Sequence, residues 1–178
     1  MSIFNIPTLE TERLILRPLT VEDAEEVYEW TGDERVAKYM IYSTHESPDV
    51  TRQWLSALDK LENEYTWGFV RKSDGKLIGS GGIRYRTDEN RWSFGYNIRC
   101  DCWNMGYTTE AALCMMEYVL EKHGAEDFVA EHAVDNPASG RVIEKCGLHF
   151  VGYGEYTSFD GTKTFRSKVY ELNGGREK

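Results

Sequence analysis

The chain has 178 residues, 40% of them hydrophobic and 13% aromatic, which is enough apolar material for one domain-sized core. Its formal charge of -9 argues against a nucleic-acid or anionic-membrane partner, since such surfaces repel an acidic protein, while a cationic amine remains an acceptable substrate. No apolar run reaches the ~20 residues of a membrane-spanning helix, and the start Met1-Ser-Ile-Phe-Asn5 lacks the basic and apolar regions of a signal peptide, so the expected location is cytoplasmic.

Residues 13–19 alternate as a strand, and Thr20 stands as the cap of a helix over residues 21–31. Ser47 and Pro48 make a cap and first-turn pair for a second helix, whose apolar stripe of Val50, Trp54, Leu55, Leu58 and Leu61 runs on to residue 64. Residues 65–71, 77–85 and 91–98 form an antiparallel meander turned at Ser73-Asp-Gly75 and at Asp88-Glu-Asn90. In its last strand Trp92, Phe94, Tyr96 and Ile98 face one way, and Ser93, Gly95 and Asn97 the other. A helix over residues 109–122 follows. The strand 127–134 must cross over that helix, which makes it parallel to its predecessor. Residues 148–156 and 162–172 close as a hairpin around Asp160-Gly161. Residues 1–172 are expected to form one domain, with 173–178 as a disordered tail.

Two junctions carry the chemistry. In Trp103-Asn-Met-Gly-Tyr-Thr-Thr-Glu-Ala111 a glycine turn leads from a strand into a helix, whose first N–H groups lack intrahelical partners and whose dipole adds about half a positive charge. Such a junction binds a phosphate with few basic side chains, and Gly106 lets the backbone come close. Further on, Asn136 is an N-cap, Pro137 suits the first helical position and Gly147 closes the far end. On that helix Ser139, Val142, Ile143 and Cys146 share one stripe, while Arg141, Glu144 and Lys145 point elsewhere. An inward hydroxyl needs a partner. Either Ser139 bonds back to a carbonyl of the preceding turn or it faces a functional cleft.

Cys100, Cys102, Cys114 and Cys146 form no zinc pattern with His45, His123, His132 or His149, so no metal is expected. Cys114 and Cys146 are small core fillers. Cys100 and Cys102 precede the phosphate turn and could carry an acyl group, but no base neighbours them in sequence.

The succession of strand, Trp-x-x-Gly-Tyr-x-Thr-Glu-Ala turn, helix, strand and Asn-x-x-Ser-x-Arg-Val-x-Glu-Lys-x-Gly resembles the GNAT superfamily of acyl-CoA-dependent N-acyltransferases. The opening Thr11-Glu-Arg-Leu-Ile-Leu-Arg-Pro-Leu19, followed by Asp23, is similar to the branch holding the ribosomal-protein N-terminal (alanine or serine) acetyltransferases. The likeness spans residues 8–172. It implies a mixed α/β (α+β) fold, with a mostly antiparallel twisted sheet of about 6–7 strands, a splayed central parallel pair and about 4 helices. It also implies acetyl-CoA as cosubstrate, without a metal. The turn residues Trp103, Asn104, Met105, Gly106, Tyr107 and Thr108 would hold its pyrophosphate, the strand backbone near Asn97 and Ile98 its pantetheine arm, and Asn136 would lie beside it. The acceptor would be a primary amine, either a protein N-terminus or a small molecule, and the chain a monomer or homodimer.

The chain departs from that pattern at several places. The branch usually reads Trp-Gly-Lys-Gly-Tyr-Ala in the turn, where this chain has Asn104, Met105 and Thr108, and so lacks the lysine. Ser93 stands where the family often has a glutamate, and Ile143 where it often has a tyrosine acid. These losses leave open a non-catalytic acyl-CoA-binding module. For the amine's proton, Glu131 sits on the splayed strand at a position where some relatives place a base; partial burial would raise its pKa, and the alternative is a structural ion pair with Arg141. His132 shares a face with Phe128, Ala130 and Val134 and suits a satisfied core histidine. Glu110, in stripe with Glu117 and Glu121, suits a solvated face. For the thiolate, the branch suggests Ser139 as donor.

Overall fold

The computed structural model describes residues 5–174. The elements run β1 (Leu9–Glu10), β2 (Leu14–Arg17), α1 (Ala24–Thr31), α2 (Glu34–Ala37), α3 (Pro48–Ala57), β3 (Glu64–Arg71), β4 (Leu77–Arg86) and β5 (Arg91–Ile98). They continue with α4 (Tyr107–His123), β6 (Asp127–Ala133), α5 (Pro137–Lys145), β7 (His149–Thr157) and β8 (Thr164–Asn173). One sheet holds all eight strands in the order β1-β2-β3-β4-β5-β6-β8-β7. Every neighbouring pair is antiparallel except β5 with β6, where α4 provides the crossover that parallel pairing requires.

The mixed, mostly antiparallel α/β fold with one central parallel pair matches the expectation, but the counts are higher, at eight strands and five α-helices among the described residues. The additions are β1 and α2, which at two and four residues are too short to show a period. The second helix was expected to reach residue 64. It stops at Ala57, passes into a 3-10 turn over Leu58–Lys60, and Asn63 at φ 60° swings the chain into β3. Leu58 and Leu61 continue the apolar stripe without continuing the helix. Ser47 sits at the N-cap of α3 but makes no side-chain capping bond, and Thr20 meets Asp23 by its backbone N–H at 2.8 Å. Asn173, expected in the tail, is the last residue of β8 and pairs with Asp127, and the Gly174 N–H donates to the Glu126 carbonyl. Residues 175–178 lie outside the described residues.

Strand alternation buries two cores on the two faces of the sheet. Trp67, Phe69, Ile78, Ile83 and Trp92 pack with Met115 and Val119 of α4, Ile143 of α5 and Cys146 at its C-terminal cap. Val27 and Trp30 of α1 and Leu55 of α3 pack with Leu77. Leu77 and Ile78, adjacent in sequence, therefore serve opposite faces. No helix of the described residues is long and apolar enough to cross a membrane.

Candidate active site

The parallel pair β5 and β6 stays together for only two residue pairs, Trp92↔Phe128 and Ser93↔Val129. Beyond them β5 continues to Ile98 and β6 to Ala133 with no ladder between, so the strands part and expose unpaired edges. A cavity of about 570 Å³ fills the gap. Its lining includes Asn97, Ile98, Trp103, Asn104, Gly106, Tyr107, Thr108, Asn136, Glu131 and Ser139, which is every residue the sequence assigned to the site except Met105.

At one end of the cavity lies the turn into α4. Asn104 at φ 60° and Gly106 at φ 80° both adopt left-handed backbone, which asparagine and glycine tolerate best. Asn104 thus does the conformational work of the glycine usual at that place. The first intrahelical donor is Glu110, whose N–H reaches the Gly106 carbonyl at 3.1 Å, so the N–H groups of Tyr107, Thr108 and Thr109 open the helix without intrahelical partners. Met105 is 51% exposed and contributes its carbonyl to the turn's framework, not its side chain to the cavity. Trp103 donates its indole N–H to the Ile98 carbonyl at 3.1 Å, so that acceptor, expected to be available to a ligand, is already engaged.

A basic group stands at this turn after all. Arg13 on the β1–β2 link lies over the Tyr107 ring at 4.3 Å, donates to the Met105 carbonyl at 2.9 Å, and holds the Glu110 carboxylate through Nε at 2.8 Å and through its backbone N–H at 3.0 Å. Glu110, expected on a solvated face, is instead the tie between the first strands and α4, with Thr11 donating to the same carboxylate. Burial alone would raise the Glu110 pKa, but the hydrogen bonds from Thr11 and Arg13 outweigh it and lower the value. That contribution to stability is therefore present at neutral pH and fades as the pH falls through the depressed value. Glu110→Ala is expected to cost about 1–2 kcal/mol at neutral pH, given the partial exposure of Arg13, and a urea midpoint measured at neutral and acid pH checks both size and trend.

Beyond the turn, α5 forms the second wall. Gly140 lets it settle on β6, since a Cβ there would lie 2.6 Å from His132 Nε2. His132 is buried, meets the Tyr170 hydroxyl at 3.2 Å and lies tilted against its ring, in keeping with a core histidine. Asn136 occupies the N-cap position of α5, with φ -117° and ψ 69°, but makes no side-chain capping bond, and the residue lines the cavity. Gly147, at φ 94°, ends the helix as expected. Ser139 does not bond back along its own helix. Its hydroxyl lies 2.9 Å from the phenolic oxygen of Tyr96 on β5, which also donates to the Ser139 carbonyl at 3.1 Å.

Glu131 alternates with His132 and so lies on the opposite face of the sheet from α5, which makes the cavity a passage between the two faces. Its carboxylate accepts from Ser167 of β8 at 2.7 Å, and no ion pair with Arg141 forms among the described residues. The side chain is exposed, not partly covered as its strand neighbours suggested. Over it stands a roof of two loops. Tyr156 donates to the Tyr39 carbonyl at 2.6 Å, Phe159 N–H to the Ile41 carbonyl at 2.8 Å, Lys163 to the carbonyls of Ala37 and Tyr42 at 3.2 Å, and Ser43 to the Asp160 carboxylate. Burial and the nearby Glu131 charge push the Tyr156 phenol up to about 12. Val36, Tyr39, Met40 and Ile41 give this side of the cavity an apolar wall. Cys100 and Cys102 have thiol pKa values raised by burial and by Asp33 and Asp101, the reverse of what an acyl-carrying thiolate needs.

Sequence reasoning missed Arg13, Thr109 and Tyr96, whereas the loops from Met40 to Glu46 and from Tyr156 to Thr164 stand out in the sequence as candidates to shape acceptor specificity. Of the three missed, only Thr109, one residue past the assigned turn, carried a local signal.

Comparison with known proteins agrees with this geometry. Residues 13–149 match the family model described as an acetyltransferase (GNAT) domain. The chain is 28% identical over 175 residues to YoaA of Bacillus subtilis, named as an uncharacterized N-acetyltransferase, with 96% of this chain and 99% of the relative covered. It is 30% identical over 165 residues to the FsC-acetyl coenzyme A-N(2)-transacetylase of Aspergillus fumigatus, with 85% of this chain and 68% of the relative covered. The crystal structure of a GNAT-family acetyltransferase from Bacillus anthracis superposes with a TM-score of 0.82 at 22% identity, covering 94% of this chain and 98% of that one.

Proposed function

The chain belongs to the GNAT family of acetyl-CoA-dependent N-acetyltransferases, and on that premise we propose that it acetylates a small primary amine with an apolar or aromatic body, approaching from the Glu131 face. The observation that carries this is the parting of β5 and β6 after Ser93↔Val129, which joins an anion-binding helix start on one side to a roofed apolar chamber on the other. The cosubstrate supplies the activated acetyl group as a thioester. The N–H groups of Tyr107, Thr108 and Thr109, with the aligned dipole of a 17-residue helix, suit its phosphates, and the facing strand edges of residues 94–97 and 130–132 suit its amide-bearing arm.

In the proposed site Glu131 takes the proton that an ammonium with pKa near 10 must lose before it can attack. Ser167 fixes one carboxylate oxygen and leaves the other for the amine. Ser139, on the far side, faces the departing sulfur. Val36, Tyr39, Met40, Ile41 and Tyr156 hold the body of the acceptor, and orientation in one cleft can supply about 7 kcal/mol or more of the barrier reduction. The cross-tied roof favours a small molecule over the N-terminus of a folded protein, because the loops are bound to each other and must part to admit a larger body.

Free CoA release from acetyl-CoA, measured against 2-phenylethylamine, spermidine and a short peptide beginning with serine, tests the assignment. Turnover is expected to be about 10-fold higher for 2-phenylethylamine than for spermidine, the value of roughly one buried aromatic contact. A preference for the peptide would move the acceptor to protein N-termini. Binding of acetyl-CoA with no release in any arm would overturn the proposal.

A further inference from the structure

We propose that Tyr96 is a positioning residue, which turns the Ser139 hydroxyl toward the sulfur of CoA so that the departing thiolate meets an O–H donor. The inference rests on the placement of Ser139 opposite Glu131 proposed above. The helix that carries Ser139 has no tyrosine of its own, and Tyr96 reaches it from β5, across the floor of the cavity.

The hydrogen bonds define two arrangements. Tyr96 has one proton and two acceptors within reach, the Ser139 carbonyl at 3.1 Å and the Ser139 hydroxyl oxygen at 2.9 Å. When the phenol donates to the carbonyl, the serine proton closes on the phenolic oxygen and nothing is offered to the cavity. When the phenol donates to the serine oxygen, the serine proton is released to point elsewhere, and Ser139 lines the cavity. Negative charge on a sulfur in that cavity selects the second arrangement, because a hydrogen bond to a charged group is stronger than one between neutral groups. The pair is a two-position donor that answers to charge.

Tyr96 keeps its proton throughout. Burial raises its pKa well above the ordinary tyrosine value, the Ser139 hydrogen bond offsets part of that rise, and nearby Cys146 adds to it. The titratable group acting on the pair is Cys146, just past the end of α5 and pushed up to about 11 by burial, while His132 of β6 is held against Tyr170. No proton leaves either hydroxyl. Glu131 passes the ammonium proton to solvent before attack; as the N–C bond forms and the C–S bond breaks, the electron pair stays on sulfur, the second amine proton goes to Glu131, and the thiolate takes its own proton from solvent after release.

The test titrates enzyme-bound CoA by its thiolate ultraviolet absorbance, as a difference against the complex with desulfo-CoA, in the wild type, Tyr96→Phe and Ser139→Ala. It requires no acceptor amine. In the wild type the bound thiol should ionise about one pKa unit below free CoA, a tenfold stronger acid. Both variants should lose that shift, with CoA affinity within about twofold and melting temperature within a few degrees of wild type, since phenylalanine keeps the ring. If Ser139→Ala keeps the shift, the placement of Ser139 is wrong and the inference falls with it. If Ser139→Ala loses the shift and Tyr96→Phe keeps it, Ser139 acts alone and only the role of Tyr96 is overturned.

Discussion

Gly106→Val is expected to raise the dissociation constant for acetyl-CoA by about 100-fold, equivalent to about 2.7 kcal/mol, as read by calorimetry. The cause is backbone angle, not lack of room. A Cβ at Gly106 meets only the Arg13 guanidinium, at 3.3 Å, while the φ of 80° is one that a β-branched residue avoids. Valine would drag the turn toward negative φ and scatter the N–H groups of Tyr107, Thr108 and Thr109. Gly106→Asn separates the two explanations, because asparagine already adopts φ 60° at position 104 of the same turn and should cost less than about 10-fold. An unchanged constant for the valine variant would remove the turn from cofactor binding.

The second large effect is expected at Glu131. Glu131→Gln should lower the rate of acetyl transfer about 100-fold while leaving acetyl-CoA affinity within twofold, since the amide keeps the length and can still accept from Ser167 but takes no proton. Steady-state kinetics with 2-phenylethylamine, alongside a binding measurement, gives both numbers. Retention of the wild-type rate would assign deprotonation to solvent and reduce the site to orientation alone.

What could be read from the chain beforehand follows from the range of each signal. The turn at residues 103–108 and the helix from Pro137 declare themselves through glycines, a proline and a 3.6-residue stripe, all of which act within one or two turns. The parallel strand after α4 was legible for the same reason, since a helix between two strands dictates the crossover. Arg13 and Glu110 are 97 positions apart, and Tyr96 and Ser139 are 43, so neither pairing leaves a local trace. Glu110 illustrates the error this produces: its spacing with Glu117 and Glu121 suggested solvent, and only the docking of the first strands against α4 gives it partners. The cap expected of Asn136 failed differently. Its position was right, but the capping bond itself depends on backbone and side-chain angles that residue type does not set.

On the proposed reading, the roof joining residues 37–43 to residues 156–163 ties acceptor choice to durability at one residue, Tyr156, whose side chain donates to the Tyr39 carbonyl at the cavity. A substitution at Tyr156 that admits a bulkier amine also removes that bond, whereas substitutions at residues 39–42 keep the backbone carbonyls that accept from Tyr156, Phe159 and Lys163. New specificities in proteins built this way should therefore arise first in the 37–43 loop, with Tyr156 variants detectable as promiscuous and heat-sensitive.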